Sequence, residues 1–432
     1  MHGMRLPVAV FALAWLPPGS VRAQPQLPAS PTTITISARS RTVTIIDGLH
    51  VKKDYWSVMP ERNPDVYYVE IPRHPHTVTF TTDVDSISFQ TTYGSRHDFV
   101  IALEDGTRAH TQIRAEYRNL LPYRRTRDSG TSSPTIPFSL RDNDKIYVKG
   151  RINEGPELDV QVDLGAGGGL VNHASLPRLG MRFDTKIRLR NSDGDNEVAS
   201  SSSNRLEIAG LVWDAVPFAV ARNMTPREDA IVGNALFQDK VLEIDYDHAT
   251  LTVHDAPPPR PGWTSADMVL DGVVPFVRGT LAVDEDVRHG WFMLDTGAYT
   301  SILNTDRLGR SSKIAGELRR SLGGRAGGPA VGIAGRTFED INYSVNGFNG
   351  NREALGLLGN DVLKRFNLVL NNRSGTAYFH INGRVSDPFR NPEHYLVRVL
   401  SIAAAAMVTM AAWLWRRRRR RSRPSVGMPN PG

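Results

Sequence analysis

The sequence predicts an all-β protein: an N-terminal β-sandwich, then two successive copies of one β-rich unit, then a single C-terminal transmembrane helix. Three observations predict it. Short runs that alternate apolar and polar residues, rich in β-branched and aromatic side chains, occupy the region from Thr32 to about Gln112. An internal repeat follows, its landmarks matched in order between the two halves of the remaining chain. Near the end, an uncharged apolar stretch runs directly into a block of arginines.

Composition supports a folded chain. Of 432 residues, 40% are hydrophobic and 22% charged, which is ordinary globular usage and argues against wholesale disorder. The formal charge of +7 comes from 52 basic and 45 acidic residues, and seven of the arginines (Arg416 to Arg421 and Arg423) lie in one terminal run. The remainder is balanced and lacks the distributed basic surface of a nucleic-acid binder, so no nucleic-acid partner is expected. The absence of cysteine excludes disulfides, thiolate zinc sites and cysteine nucleophiles.

In chain order, residues 1–23 carry Arg5, an apolar run from Leu6 to Leu16, Pro17 and Pro18, and the small-residue spacing Val21-Arg22-Ala23, the pattern of a cleaved export signal. Residues 24–123 hold the alternating runs Thr33 to Ser37, Thr42 to Ile46, Thr77 to Thr81, Ser86 to Gln90 and Asp98 to Leu103. Such alternation predicts antiparallel strands with one buried face, hence a small β-sandwich. His74-Pro75-His76 reads as a surface loop rather than a metal site. Residues 124–136, rich in Ser, Thr, Pro and Arg, read as a linker.

The repeat occupies 137–256 and 270–390, with the proline-rich stretch in 257–269 between the copies. Ile208 to Val220 aligns without gaps to Ile333 to Val345, and each copy continues to an apolar pair with Gly-Asn: Ile231-Val-Gly-Asn and Leu357-Leu-Gly-Asn. Upstream, each copy has Pro-Phe and then a strand entering an acidic turn, Val160-Gln-Val-Asp163-Leu-Gly-Ala and Phe292-Met-Leu-Asp295-Thr-Gly-Ala. A strand that ends in this way puts a carboxylate on a tight turn, and two such turns can meet about a pseudo-twofold axis. Two facing carboxylates cannot both ionise, so they share a proton and serve as acid and base together.

The two Asp-x-Gly-Ala turns, each followed by an apolar-apolar-Gly segment, resemble the signature of retropepsin-like aspartyl proteases, and two copies in tandem resemble the bilobal pepsin arrangement. The resemblance covers roughly 137–385. It implies a double β-barrel of acid-protease type and an aspartic endopeptidase with Asp163 and Asp295 as its dyad. Gly165, Ala166, Gly297 and Ala298 would shape the turns, and the substrate would be a peptide or protein. The family needs no cofactor and no metal, and a chain holding both lobes is expected to be monomeric.

The first copy departs from the pattern at Leu164. In the family, Thr or Ser there braces both loops through its hydroxyl; Thr296 has one and Leu164 does not. The segments Asn191 to Asn204 and Ser321 to Gly332 would be flaps over the substrate. The competing class is an inactive protease fold acting as a membrane-tethered peptide-binding or adhesion ectodomain. No Gly-x-Ser-x-Gly elbow supports a serine hydrolase.

The anchor is expected at 395–415. Val399 to Trp415 is free of charge and as a helix reaches ~25 Å, which flanking aromatics and Arg398 extend. The arginine-rich tail, 416–432, would lie in the cytoplasm and the body outside it. An exported body without cysteine fits a bacterial envelope.

Overall fold

The computed structural model describes residues 33–126, 133–141, 144–191, 194–308, 328–344 and 353–389, together with Met407 and Met410. The export signal at 1–23 and the basic tail at 416–432 lie outside the described residues. So does the 395–415 helix, apart from those two methionines. Among the described residues no helix is long and apolar enough to cross a membrane. The body is all-β.

The N-terminal region forms two four-stranded sheets. One is ordered Thr35–Ala38, Arg96–Leu103, Arg108–Arg114, Asp65–Tyr68; the other His50–Ser57, Thr42–Asp47, His76–Thr81, Ser86–Thr91. Period-two alternation sends Val43 and Ile45 inward from one sheet and Phe99 and Ile101 from the other, and these join Ile36, Phe80 and Ile113 in a shared core. Two pairings depart from the antiparallel expectation: Thr35–Ala38 runs parallel to Arg96–Leu103, and Asp65–Tyr68 parallel to Arg108–Arg114. Alternation dictates which face is buried and leaves strand direction to the connections.

The strand His50–Ser57 is masked in the sequence by Lys52-Lys53-Asp54. Lys52 is nevertheless fully buried and forms an ion pair with Glu70, which removes the cost of an isolated buried charge. His76 also lies on a strand, where its ring pairs with the buried Asp47. Among the described residues no cluster could hold a metal ion.

Both ends of the Ser/Thr/Pro-rich segment at 124–136 are sheet. Tyr123–Arg125 pairs with Leu211 to Trp213, and Thr135–Pro137 pairs with Thr250–His254; residues 127–132 lie outside the described residues.

The two repeated units merge through a shared sheet. Six strands from one edge of it are ordered Thr135–Pro137, Thr250–His254, Val241–Asp245, Phe366–Asn371, Thr376–Ile381, Thr264–Asp271, the outer two drawn largely from the segments that precede each unit. The middle pair runs antiparallel with Val241 opposite Asn371 and Ile244 opposite Leu368, so a pseudo-twofold axis passes between them. Every residue of Phe366–Asn371 is buried, as befits a strand covered on both faces. One hydrophobic core runs through both units.

The N-terminal sandwich docks on the second unit. Tyr55 meets Phe276 and Trp291 edge to face, at centroid distances of 5.6 and 5.4 Å, and Val269, Met293, Ala354 and Leu357 complete the buried cluster. Trp291 donates its indole N–H to the Lys53 carbonyl at 3.3 Å. This contact braces the strand Asp286–Leu294, whose next residue is Asp295.

Candidate active site

Each acidic turn is held at the end of a three-strand arrangement that recurs in both units. In the first, Leu158–Val162 lies parallel to Ala230–Val232, which pairs on its other edge with Gly169–Asn172. In the second, Asp286–Leu294 lies parallel to Gly356–Leu358, which pairs with Ile302–Leu303. Asp163 and Asp295 leave their strands at matching points, donating their amides to Val232 O at 2.8 Å and Leu358 O at 3.0 Å. Apolar-apolar-Gly supplies the parallel partner in each case, and its glycine lets the acidic loop pass close. A Cβ on Gly233 would overlap Ala166 O, and one on Gly359 would lie 2.9 Å from Ala298 O.

The structure brings Asp163 and Asp295 together. A Cβ placed on Gly165 would stand 2.7 Å from the carboxyl carbon of Asp295, and one on Gly297 would overlap the carboxylate of Asp163. Each turn glycine is thus required by the close approach of the opposite unit's acid. Gly165 donates its amide to Asp163 Oδ1 at 2.8 Å; Gly297 and Ala298 both donate to Asp295 Oδ1 at 2.9 Å. Ala166 N closes the first turn on Asp163 O at 3.1 Å.

The brace between the turns is one-sided. The Thr296 hydroxyl donates to Val162 O and accepts from Leu164 N, both at 2.9 Å. Leu164 is 0% exposed and packs in the core; with no oxygen it returns neither bond.

The Gly-Asn pairs noted in the repeat have a role that the sequence did not disclose. Asn360 donates its amide to Thr296 O at 2.9 Å and across to Asp144 O at 2.8 Å, while its oxygen accepts from Tyr246 OH at 2.8 Å. Asn234 donates to Val273 O at 2.9 Å and exchanges hydrogen bonds with Asn372 at 2.9 and 3.1 Å. Each asparagine therefore reaches a hairpin turn and a strand end of the other unit, and Asn360 also holds its own acidic loop at Thr296. Doubling of Gly-Asn was the signal; Tyr246 and Asn372 carry none.

Both carboxyls are half-buried. Burial pushes Asp163 above the usual carboxylate range, opposed by its hydrogen bonds to Asp295 and Gly165. Burial pushes Asp295 up much further, reinforced by the charge of Asp163 beside it. The pair therefore keeps one shared proton to higher pH than a lone carboxylate would.

The hairpin of Thr185–Asn191 and Gly194–Ile208 stands in the first unit at the position predicted for a flap, with residues 192 and 193 outside the described residues. Ser200 and Ser201 are buried at its base, bonded to Phe218 O and Asn204 Oδ1 at 3.2 Å. In the second unit 321–327 lie outside the described residues, and Ala330–Ile333 is a sheet strand against Gly279 to Ala282.

No family model matches this sequence, and no curated protein matches it.

Proposed function

We propose that the chain is an aspartic endopeptidase that cleaves peptide bonds with Asp163, Asp295 and an activated water, exported and held at a membrane by the 395–415 segment. The observation that carries this reading is the interlocking of the two turns, each glycine seated against the other turn's acid. The resemblance to retropepsin-like proteases and the pepsin-like duplication support it.

In this mechanism a water lies between the carboxyls. The ionised aspartate takes a proton from it as the oxygen attacks the peptide carbonyl, and the neutral aspartate protonates the carbonyl oxygen. The resulting tetrahedral diol collapses as a proton passes to the nitrogen, and the C–N bond breaks. Amide donors on the inner carboxylate oxygens hold both groups in orientation, so little reorganisation accompanies the step.

A second reading, a peptide-binding ectodomain without hydrolysis, is favoured by Leu164, which leaves one turn unbraced. The test is hydrolysis of an unfolded protein by the detergent-solubilised full chain across acid and neutral pH, with and without a pepstatin-type inhibitor. Cleavage that the inhibitor blocks and that Asp295→Asn abolishes is expected. Binding of peptide with no cleavage at any pH overturns the hydrolytic reading in favour of the second.

A further inference from the structure

The two aspartates differ in what lies behind them. Asp163 is followed inward by a polar chain: Gln161 Nε2 reaches Asp163 Oδ2 at 3.5 Å, and Lys145 Nζ donates to Gln161 Oε1 at 3.3 Å and to Glu228 Oε1 at 3.1 Å. Tyr147 OH also donates to Glu228 Oε1, at 2.7 Å. Gln161 and Glu228 are buried, 1% and 3% exposed. The position in the second unit that matches Gln161, two residues before the acid, is Met293, packed against Tyr55 and Trp291 in the apolar contact with the N-terminal sandwich.

Hydrogen-bond polarity runs one way along this chain. An ammonium can only donate, so the oxygen of the Gln161 amide faces Lys145 and its NH2 faces Asp163. An NH2 can only donate too, so Asp163 Oδ2 accepts. Since Oδ1 already accepts from Gly165 N, both oxygens of Asp163 are acceptors, the pattern of an ionised carboxylate. On Asp295, Oδ1 takes two amides, which leaves Oδ2 to carry a proton.

We infer that Lys145 and Gln161 are positioning residues that keep the charge on Asp163 and the proton on Asp295, so that Asp163 activates the water and Asp295 protonates the carbonyl. The assignment of roles rests on the endopeptidase reading; the placement of charge does not. The charged groups that face Asp163 are Asp295 from the opposite turn and Lys145, with Glu228 beyond the lysine. Asp144, next to Lys145, is itself paired with Lys364 at 3.0 Å. The pair's electrostatics agree, since the carboxyl raised further by burial and by its neighbour's charge is Asp295.

The experiment follows the carboxyl carbons of 13C-labelled aspartate by NMR in the solubilised full chain, assigned with Asp163→Asn and Asp295→Asn, alongside the pH profile of hydrolysis. On acidification the Asp295 signal should become protonated first and Asp163 last. Lys145→Met and Gln161→Leu should each move the Asp163 titration, and with it the acid limb of the profile, to higher pH by about one unit. Lys145→Arg should restore the original position. Should Lys145→Met fail to fold, Gln161→Leu reads the same quantity without altering charge. Protonation of Asp163 before Asp295, or an acid limb unmoved in folded Lys145→Met and Gln161→Leu, overturns the inference while leaving the endopeptidase reading intact. Ordered titration without hydrolysis supports the charge placement and overturns the endopeptidase reading.

Discussion

The Thr296 hydroxyl crosses between the repeated units to Leu164: it accepts the Leu164 amide at 2.9 Å while donating to the carbonyl two residues earlier, Val162, at the same distance. One side chain thus ties the second acidic turn to the first, and nothing in the Leu164 side chain ties the first back. The resulting asymmetry has measurable consequences.

Replacing Thr296 by Val removes both bonds and leaves a buried amide and carbonyl unpaired, so unfolding free energy should fall by about 2 kcal/mol or more. Leu164→Thr places a hydroxyl where the pseudo-twofold axis predicts the missing pair of bonds, though it gives up buried apolar surface. Its stability should stay within about 1 kcal/mol of wild type, because the two effects oppose each other. Peptide cleavage by Leu164→Thr should be faster, as a turn held from both sides keeps its acid in register. Denaturant melts and steady-state hydrolysis check the pair; Thr296→Val as stable as wild type would remove the brace from the account.

Gly297→Ala is expected to be far more damaging to activity than to folding. Its methyl would overlap the Asp163 carboxylate and push the acids apart, and a displacement of that size costs on the order of 100-fold in rate. Gly167→Ala is the matched control, since a methyl there meets nothing within 4 Å. Rates for that variant should stay within about twofold of wild type. Equal rates for Gly297→Ala and wild type would show that the acids do not act as a pair.

The N-terminal sandwich carries a pH-sensitive pair of its own. His76 is raised above the ordinary imidazole value, first by its hydrogen bond to Asp47 and against its burial. Asp47 is lowered; burial works to raise it, and hydrogen bonds from His76, Tyr67 and Glu70 with the nearby Lys52 charge outweigh that. The raised His76 contributes stability that is fully present below the unfolded histidine value, about 6.5, and is lost as pH rises through its folded value. The lowered Asp47 contributes stability present above the unfolded aspartate value, about 3.9, and lost as pH falls through its folded value. The pair therefore stabilises most between about pH 4 and 6.5. Thermal melts of His76→Gln against wild type should show their largest gap in that window and a narrowing gap above it; a constant gap from pH 4 to 9 would contradict the pairing.

Much of this molecule was legible before any coordinates. The alternating runs at Thr42 to Ile46 and Thr77 to Thr81 are strands because one face of each meets an apolar core, and a period of two records that directly. The missed strands, such as His50–Ser57, hide their face behind Lys52, whose burial depends on Glu70, 18 residues away. The duplication was legible because the same close approaches recur in both units and each demands a glycine at an equivalent place in a short motif: a passing backbone at Gly233 and Gly359, the opposite unit's acid at Gly165 and Gly297.

By itself the sequence determined the repeat, the two acid-bearing turns and the presence of a hydroxyl in only one of them, since each is written in a short run of residues whose counterpart recurs in the other half. Only the tertiary structure decided that Lys145 and Gln161 stand behind Asp163, while Met293, against the N-terminal sandwich, holds the matching place near Asp295. Polarity around a buried acid is a sum over groups brought from distant segments by the closing of the sheet, and no local pattern encodes that sum.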